Sequence, residues 1–295
     1  GTIGIMLISL IASLAVVGIG IIFPTFLEKT TNAIGFIDFQ TLLLKVMLSF
    51  LLFAAAIHID SKKLKSERIS IITFSTIGVV ISTFVIGTLL YYTISLFGLS
   101  VNYLYSLLFG ALISPTDPIA VVGILRKAKI PESLETKISG ESLFNDGVGV
   151  VLFITFYQIA QIGIDNISVW EILWLFVKED AGGILFGWLL GYLGYLALRS
   201  IDNYVVEVMI TLAIVMGGYT LAEEMGISGP IAMVVAGLIT GNKSMEEGMS
   251  DVTRDYLGKF WEMMDELMNA ILFLLIGFEL LVIPFKLTLL LLGCL

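Results

Sequence analysis

Ser114-Pro115-Thr116-Asp117-Pro118 and Glu141-Ser142-Leu143-Phe144-Asn145-Asp146-Gly147 decide how this chain is read. Each lies inside an otherwise apolar segment of membrane-spanning length. A carboxylate at the bilayer centre costs roughly 3 kcal/mol on insertion scales. Two prolines around Asp117 also remove backbone donors where no water replaces them. A chain keeps such features where they line a buried polar cavity. That cavity is the expected site of function.

The surrounding composition fixes the setting. Only 14% of the 295 residues are charged, against about 25% in soluble domains. Mean hydropathy is +1.01, so the chain reads as an all-α polytopic membrane protein. The net charge of −9 belongs to loops and cavities and points to no partner. Nucleic-acid binding has no basic patch to rest on. Cys294 is the only cysteine, which excludes a disulfide framework and a thiolate metal site. Both ends fall in apolar runs and read as cut, so the expectation is a single transmembrane domain over 1–295, incomplete at both ends, within a longer protein.

Apolar segments suited to helices run at about 2–27, 40–58, 69–97, 103–125, 138–160, 181–199, 203–222, 227–241 and 259–283, with a tenth starting near 286. Residues 168–179, with Trp170 and Trp174, read as an interfacial lead-in to the sixth span. The eighth is short for a roughly 30 Å hydrocarbon core and is expected to start in a protein-lined recess. One set of alternate loops holds Lys62, Lys63, Lys65, Arg68, Arg126, Lys127, Lys129 and Lys137. The same set continues with Arg199, Lys243, Arg254 and Lys259. The other side holds Lys29, Lys178 and Lys286. This asymmetry makes the 59–68 and 126–137 loops cytoplasmic. Gly/Pro interruptions within spans predict discontinuous helices, as in transporters built from inverted repeats.

Each motif carries its own chemistry. Pro118 is expected to push Asp117 out of α geometry, and Pro115 to do the same to Ser114. The unwound stretch then frees carbonyls beside a carboxylate and a hydroxyl, the oxygen shell that hard cations want. A plain proline kink with a satisfied Asp is the alternative. In the second motif, Ser142 and Asp146 share one helical face at i,i+4, and Glu141, Asn145 and Gly149 take the adjoining face. Ser142 and Asp146 are the better ligand candidates, whereas Glu141 and Asn145 suit a structural polar network. A desolvated carboxylate takes up protons more readily, so proton and cation can compete for the same oxygens. Asn145, in place of a second acid beside Asp146, limits the exchangeable protons and favours one-for-one, electroneutral exchange.

The run Gly110-Ala-Leu-Ile-Ser-Pro-Thr-Asp-Pro-Ile-Ala-Val-Val, followed by Gly140-Glu-Ser-Leu-Phe-Asn-Asp-Gly-Val-Gly-Val-Val, resembles the sodium/proton antiporters of the NhaP and NHE type. Tyr219-Thr-Leu-Ala-Glu-Glu-Met-Gly-Ile-Ser-Gly-Pro-Ile-Ala and Asn269-Ala-Ile-Leu-Phe-Leu-Leu-Ile-Gly resemble it too, so the similarity covers about 40–285. The resemblance implies a prokaryotic antiporter of inverted-repeat, NhaA-like fold, with its ion-binding core around 103–160. It implies a Na+ site at Thr116 (through its carbonyl), Asp117, Ser142 and Asp146, with Glu141 acting through water or a salt bridge and Asn145 holding the unwound helix. It further implies a homodimer, an elevator-like core, a cell (inner) membrane location, and Na+ (with Li+ as a variant) and H+ as cargo without a cofactor. The family's arginine partner for Glu141 would lie beyond Leu295. Electrogenic relatives carry Asp-Asp where this chain has Asn145-Asp146.

Other residues attract weaker readings. Glu207, near the cytoplasmic end of its span, suits an interhelical hydrogen bond or snorkelling, with pH sensing or ion funnelling as the alternative. His58 reads as interfacial, although it could titrate near neutrality. Asn269 is expected to be buried and structural, with Asp265 and Glu266 at the cytoplasmic mouth. Met263, Met264 and Met268 suit packing rather than a soft-metal site. A K+/H+ antiporter on the same fold is the nearest alternative function. An intramembrane aspartyl protease, which is an enzyme, would need a Gly-x-Gly-Asp pattern, and Asp146 follows Phe144-Asn145 instead. A channel would need a carbonyl filter or a ring of charges.

Overall fold

The computed structural model describes residues 2–23, 38–116, 131–162, 169–244 and 249–282, together with positions 25 and 29. Among the described residues every regular element is helical. Apart from a single turn at Phe39–Thr41, in chain order these are α1 (Thr2–Ile22), α2 (Leu48–Ile57), α3 (Ser61–Ser66), α4 (Arg68–Thr73), α5 (Val79–Leu96) and α6 (Tyr103–Ile113). They continue with α7 (Glu132–Ile162), α8 (Val169–Arg199), α9 (Tyr204–Glu224), α10 (Gly229–Ile239) and α11 (Asp251–Val282). A π-helical stretch, Leu42–Met47, leads into α2; another, Phe74–Gly78, joins α4 to α5, and a third, Thr240–Ser244, extends α10. Among the described residues, four stretches are long and apolar enough to cross a bilayer: Arg68–Leu96, Ser133–Gln161, Val177–Arg199 and Tyr204–Glu224. The tenth span expected near 286 lies outside the described residues.

Helix starts follow local chemistry. Asn102, Asn203 and Ser228 cap α6, α9 and α10 by accepting from first-turn amides, which satisfies donors that the helix itself leaves open. The Pro131 carbonyl takes the amides of Leu134 and Glu135 at the head of α7. α7 and α8 begin earlier than the apolar windows at 138 and 181. Their first turns are polar or aromatic, and a helix can continue past the lipid edge because its hydrogen bonds are internal.

The chain divides into two compact units, Gly1–Leu51 with Lys259–Leu295, and Leu52–Gly258. In the first, the Ser9 hydroxyl donates to the Phe273 carbonyl (3.0 Å) and Ser13 to Gly277 (2.6 Å). Trp261 is fully buried there, with its ring 6.0 Å from that of Phe50. Asn269 is also buried and donates to Asp265, as expected of a structural residue. Met263, expected to pack, is instead 56% exposed.

In the second unit, small residues set the packing. A methyl added at Gly183 would lie 2.7 Å from the Ser228 carbonyl, and at Gly187 it would run into Ala232. One at Gly191 would lie 2.8 Å from Ile239. This i,i+4 row lets α8 and α10 approach backbone to backbone, the close contact that drives association in lipid. On another face of α10, Gly237 meets the Phe53 backbone and Gly241 meets Ile57. Asn242 finishes the corner by donating to the Ile59 carbonyl (2.8 Å) and accepting from the Ser61 amide (2.7 Å). α10 is thus enclosed by protein along nearly its whole length, as the short eighth span requires.

Glu207, in the first turn of α9, is fully buried, with Thr253 and Asp202 facing it. Full burial rules out snorkelling, because no part of the side chain reaches the interface.

Candidate functional site

α5, α6 and α7 form the frame of the site. Val79, Ala111, Val148 and Leu152 make one buried cluster, and Leu104, Leu107 and Ile159 a second, with Phe156 packed against both. The Phe84 and Phe156 rings meet edge to face at 6.0 Å. Gly110 on α6 lies against the Thr83 carbonyl, and Gly87 on α5 lies where a methyl would be 2.9 Å from the Ser106 carbonyl. Two glycines facing in opposite directions therefore fix how closely α5 and α6 approach.

α6 ends where the proline motif begins, but one residue later than expected. Ser114 keeps helical angles (φ −66, ψ −36) despite the following Pro115. Its amide and its hydroxyl both donate to the Gly110 carbonyl, at 3.0 and 2.6 Å. The buried Thr83 hydroxyl donates to Ser114 Oγ at 3.2 Å. These bonds outweigh the steric preference of a pre-proline residue for extended geometry. The helix stops after Ser114, and Pro115 and Thr116 run as irregular backbone. Asp117 lies outside the described residues.

The second motif does not break. α7 is helical throughout Glu132–Ile162, so Glu141–Gly147 presents side chains at helical spacing rather than freed carbonyls. The opening in the backbone belongs to the proline motif alone. α7 reaches that opening because Gly149 has no side chain: a methyl there would collide with the Pro115 ring. Gly149 stands in the polar face read from the sequence, yet its role is steric.

The two helical faces of α7 converge on one residue. The Ser142 hydroxyl donates to the Thr116 carbonyl. Asn145 Nδ2 donates to Thr116 Oγ1 at 2.9 Å and to Glu141 Oε1 at 2.8 Å. Thr116 Oγ1 in turn lies 3.4 Å from Glu141 Oε2. Ser142 is 2% exposed and Asn145 0%, whereas Glu141 and Asp146 are partly buried and Thr116 is exposed. Asn145 Oδ1 is buried and meets no donor among the described residues. The structure thus brings Thr116, Glu141, Ser142 and Asn145 together, and places Asp146 one turn beyond Ser142 on the same helix. Thr83 was missed from sequence, whereas Gly149 was read there for its place on a polar face and not for the space it leaves to Pro115. Thr83 is one of several hydroxyls in an apolar span, and only the fold shows which one meets Ser114.

Chemically the cluster is rich in oxygen and poor in positive charge. The Thr116 carbonyl has a second lone pair, and the Ser142 and Thr116 hydroxyls, the carboxylates and the orphan amide oxygen of Asn145 add further acceptors. Such neutral and anionic oxygens suit a hard cation. Asn145 contributes donors that no proton can replace, so the titratable groups on α7 here are Glu141 and Asp146.

The family model described as the transmembrane sodium/hydrogen exchanger matches residues 1–295. The Na+/H+ antiporter NhaP of Pseudomonas aeruginosa is 51% identical over 287 residues, which cover 97% of this chain and 67% of that protein. The Na+/H+ antiporter NhaH of Halobacillus dabanensis is 33% identical over 243 residues, 82% of this chain and 59% of that protein. The chain therefore spans roughly two thirds or less of these relatives. The solved sodium/proton antiporter MjNhaP1 of Methanocaldococcus jannaschii superposes with a TM-score of 0.69 at 20% identity, covering 94% of this chain and 69% of that one, which fixes the fold. By the family match and these relatives, the chain belongs to the sodium/hydrogen exchanger family, a family of membrane transporters rather than enzymes.

Proposed function

We propose that the chain exchanges Na+ for H+ across the membrane by alternating access, with Li+ as an accepted variant. The observation that carries this reading is the convergence of Ser142 and Asn145 on Thr116 at the only helix break on the described part of α6. That convergence gathers backbone and side-chain oxygens in one place, next to a turn of α7 that carries two carboxylates. Cation and proton would compete for Asp146 and for Asp117, while the Thr116 carbonyl and the Ser142 hydroxyl complete the oxygen shell. Glu141 and Asn145 support the site by holding Thr116 in register. Because Asn145 takes the place of a second acid, exchange is one-for-one and electroneutral.

The same reading puts the protein in the cell membrane as a homodimer, with the 59–68 and 126–137 loops cytoplasmic. The named antiporter activities of the relatives support the exchange of Na+ for H+. Cation identity is tested in proteoliposomes under an imposed pH gradient, adding Na+, Li+ and K+ in turn with a potential-sensitive dye present. Na+-dependent collapse of the gradient without a dye response is expected. Collapse by K+ alone would make the protein a K+/H+ antiporter, and a potential change would end the one-for-one stoichiometry.

A further inference from the structure

The corner between α3 and α4 carries a cleft of about 320 Å³, lined by Lys65, Ser66, Glu67, Arg68, Ile69 and Ser70. Its charges are unequally engaged. Glu67 is taken by Lys137 of α7, whose ammonium lies 3.1 Å from Oε2. Asp60 caps α3 by accepting from the Lys62 and Lys63 amides, at 2.8 and 3.4 Å. Lys65 and Arg68 are exposed, and neither forms an ion pair with a described residue. The local acids are thus occupied, and two cations point at one cleft.

The cleft lies at the end of an apolar stripe. Arg68 is the first residue of the membrane-spanning stretch Arg68–Leu96. From it run Ile69 (76% exposed), Ile72 (58%), Ile77 (58%) and Ile81 (57%), spaced three to five residues apart along the helix. A stripe of exposed isoleucines on a membrane helix suits acyl chains, and cations at its end suit the phosphate that joins those chains. A soluble anion would use the cations and leave the stripe unused.

We propose that this cleft binds the headgroup of an anionic phospholipid, with Lys65 and Arg68 on the phosphate and the acyl chains along the isoleucine stripe. The contact reaches the transport helix. Gly140, one residue before Glu141, lies where a methyl would be 2.7 Å from Ile71 and 3.1 Å from Leu64. The Lys137–Glu67 pair is a second link from the same corner to α7. A bound lipid therefore bears on the segment that carries Glu141, Ser142 and Asn145. The binding claim stands apart from the ion-exchange reading, since it concerns lipid retention and not flux.

The test is native mass spectrometry of the full chain, released from micelles doped with phosphatidylglycerol or with phosphatidylcholine. Wild type is expected to retain phosphatidylglycerol in preference to phosphatidylcholine. The Lys65→Gln/Arg68→Gln double variant should lose that preference about tenfold, and Lys65→Gln alone should show a partial loss. Lys62→Gln/Lys63→Gln removes the same charge outside the cleft and should retain the lipid. Equal retention by both double variants and wild type, or equal loss in both, overturns the proposal. Displacement of the lipid by millimolar inorganic phosphate would also overturn it, by making the site one for a free anion.

Discussion

The end of α6 and the polar turn of α7 are both costly interruptions of apolar helices, yet they meet the cost in opposite ways. α6 gives up its helix after Ser114 and offers main-chain oxygen at Thr116. α7 stays whole and offers side chains whose spacing the helix enforces. Neither alone makes a site. A broken backbone has carbonyls but no fixed register, whereas an intact helix has register but no free carbonyl. Their meeting at Thr116 supplies both, and Gly149 is what allows the meeting.

The meeting of α6 and α7 can be disrupted at its contact point. Gly149→Val drives a branched side chain into Pro115 and should destabilise the protein by about 3 kcal/mol, read as a lower unfolding temperature in detergent, with exchange lost. An unchanged unfolding temperature would mean that Pro115 does not rest on α7. Asn145→Ala removes the two bonds to Thr116 and Glu141 and should cost about 2 kcal/mol, because two part-buried hydrogen bonds are lost, one of them to a carboxylate. Its apparent affinity for the cation in exchange assays should fall, whereas a purely stabilising role would lower the unfolding temperature and leave affinity alone. Thr83→Val should cost about 1 kcal/mol, since it deletes one hydrogen bond to Ser114 and leaves the Gly110 bonds in place. If it instead matched Asn145→Ala, the α6 terminus would depend on α5 more than on its own turn.

Much of this was legible in the sequence because the polar residues stand out against hydrocarbon. The span pattern, the proline break and the roster Thr116, Glu141, Ser142, Asn145 and Asp146 all follow from what a bilayer penalises. The geometry was less legible. Helical spacing separates Ser142 from Asn145 by face, and only the position of Thr116 between those faces unites them. The continuity of α7 through Glu141–Gly147 agrees with the helical spacing read for Ser142 and Asp146. Pro115 misled because the preference of a pre-proline residue is a bias, and Ser114 has two hydrogen bonds to set against it. For Glu207 the snorkelling alternative failed because a sequence gives depth along a helix but not which neighbours close over it. Gly149 was read for its place on a polar face, since the partner that needs the space, Pro115, comes from another helix.

In the proposed exchange, the Thr116–Ser142–Asn145 junction presents Asp146 as the exchanging carboxylate. Its most direct test is cation-dependent proton flux by Asp146→Asn in proteoliposomes, alongside the unfolding temperature of the same preparation. Flux at background with the unfolding temperature kept is the expected result. Retained Na+-dependent proton flux in that variant would contradict it.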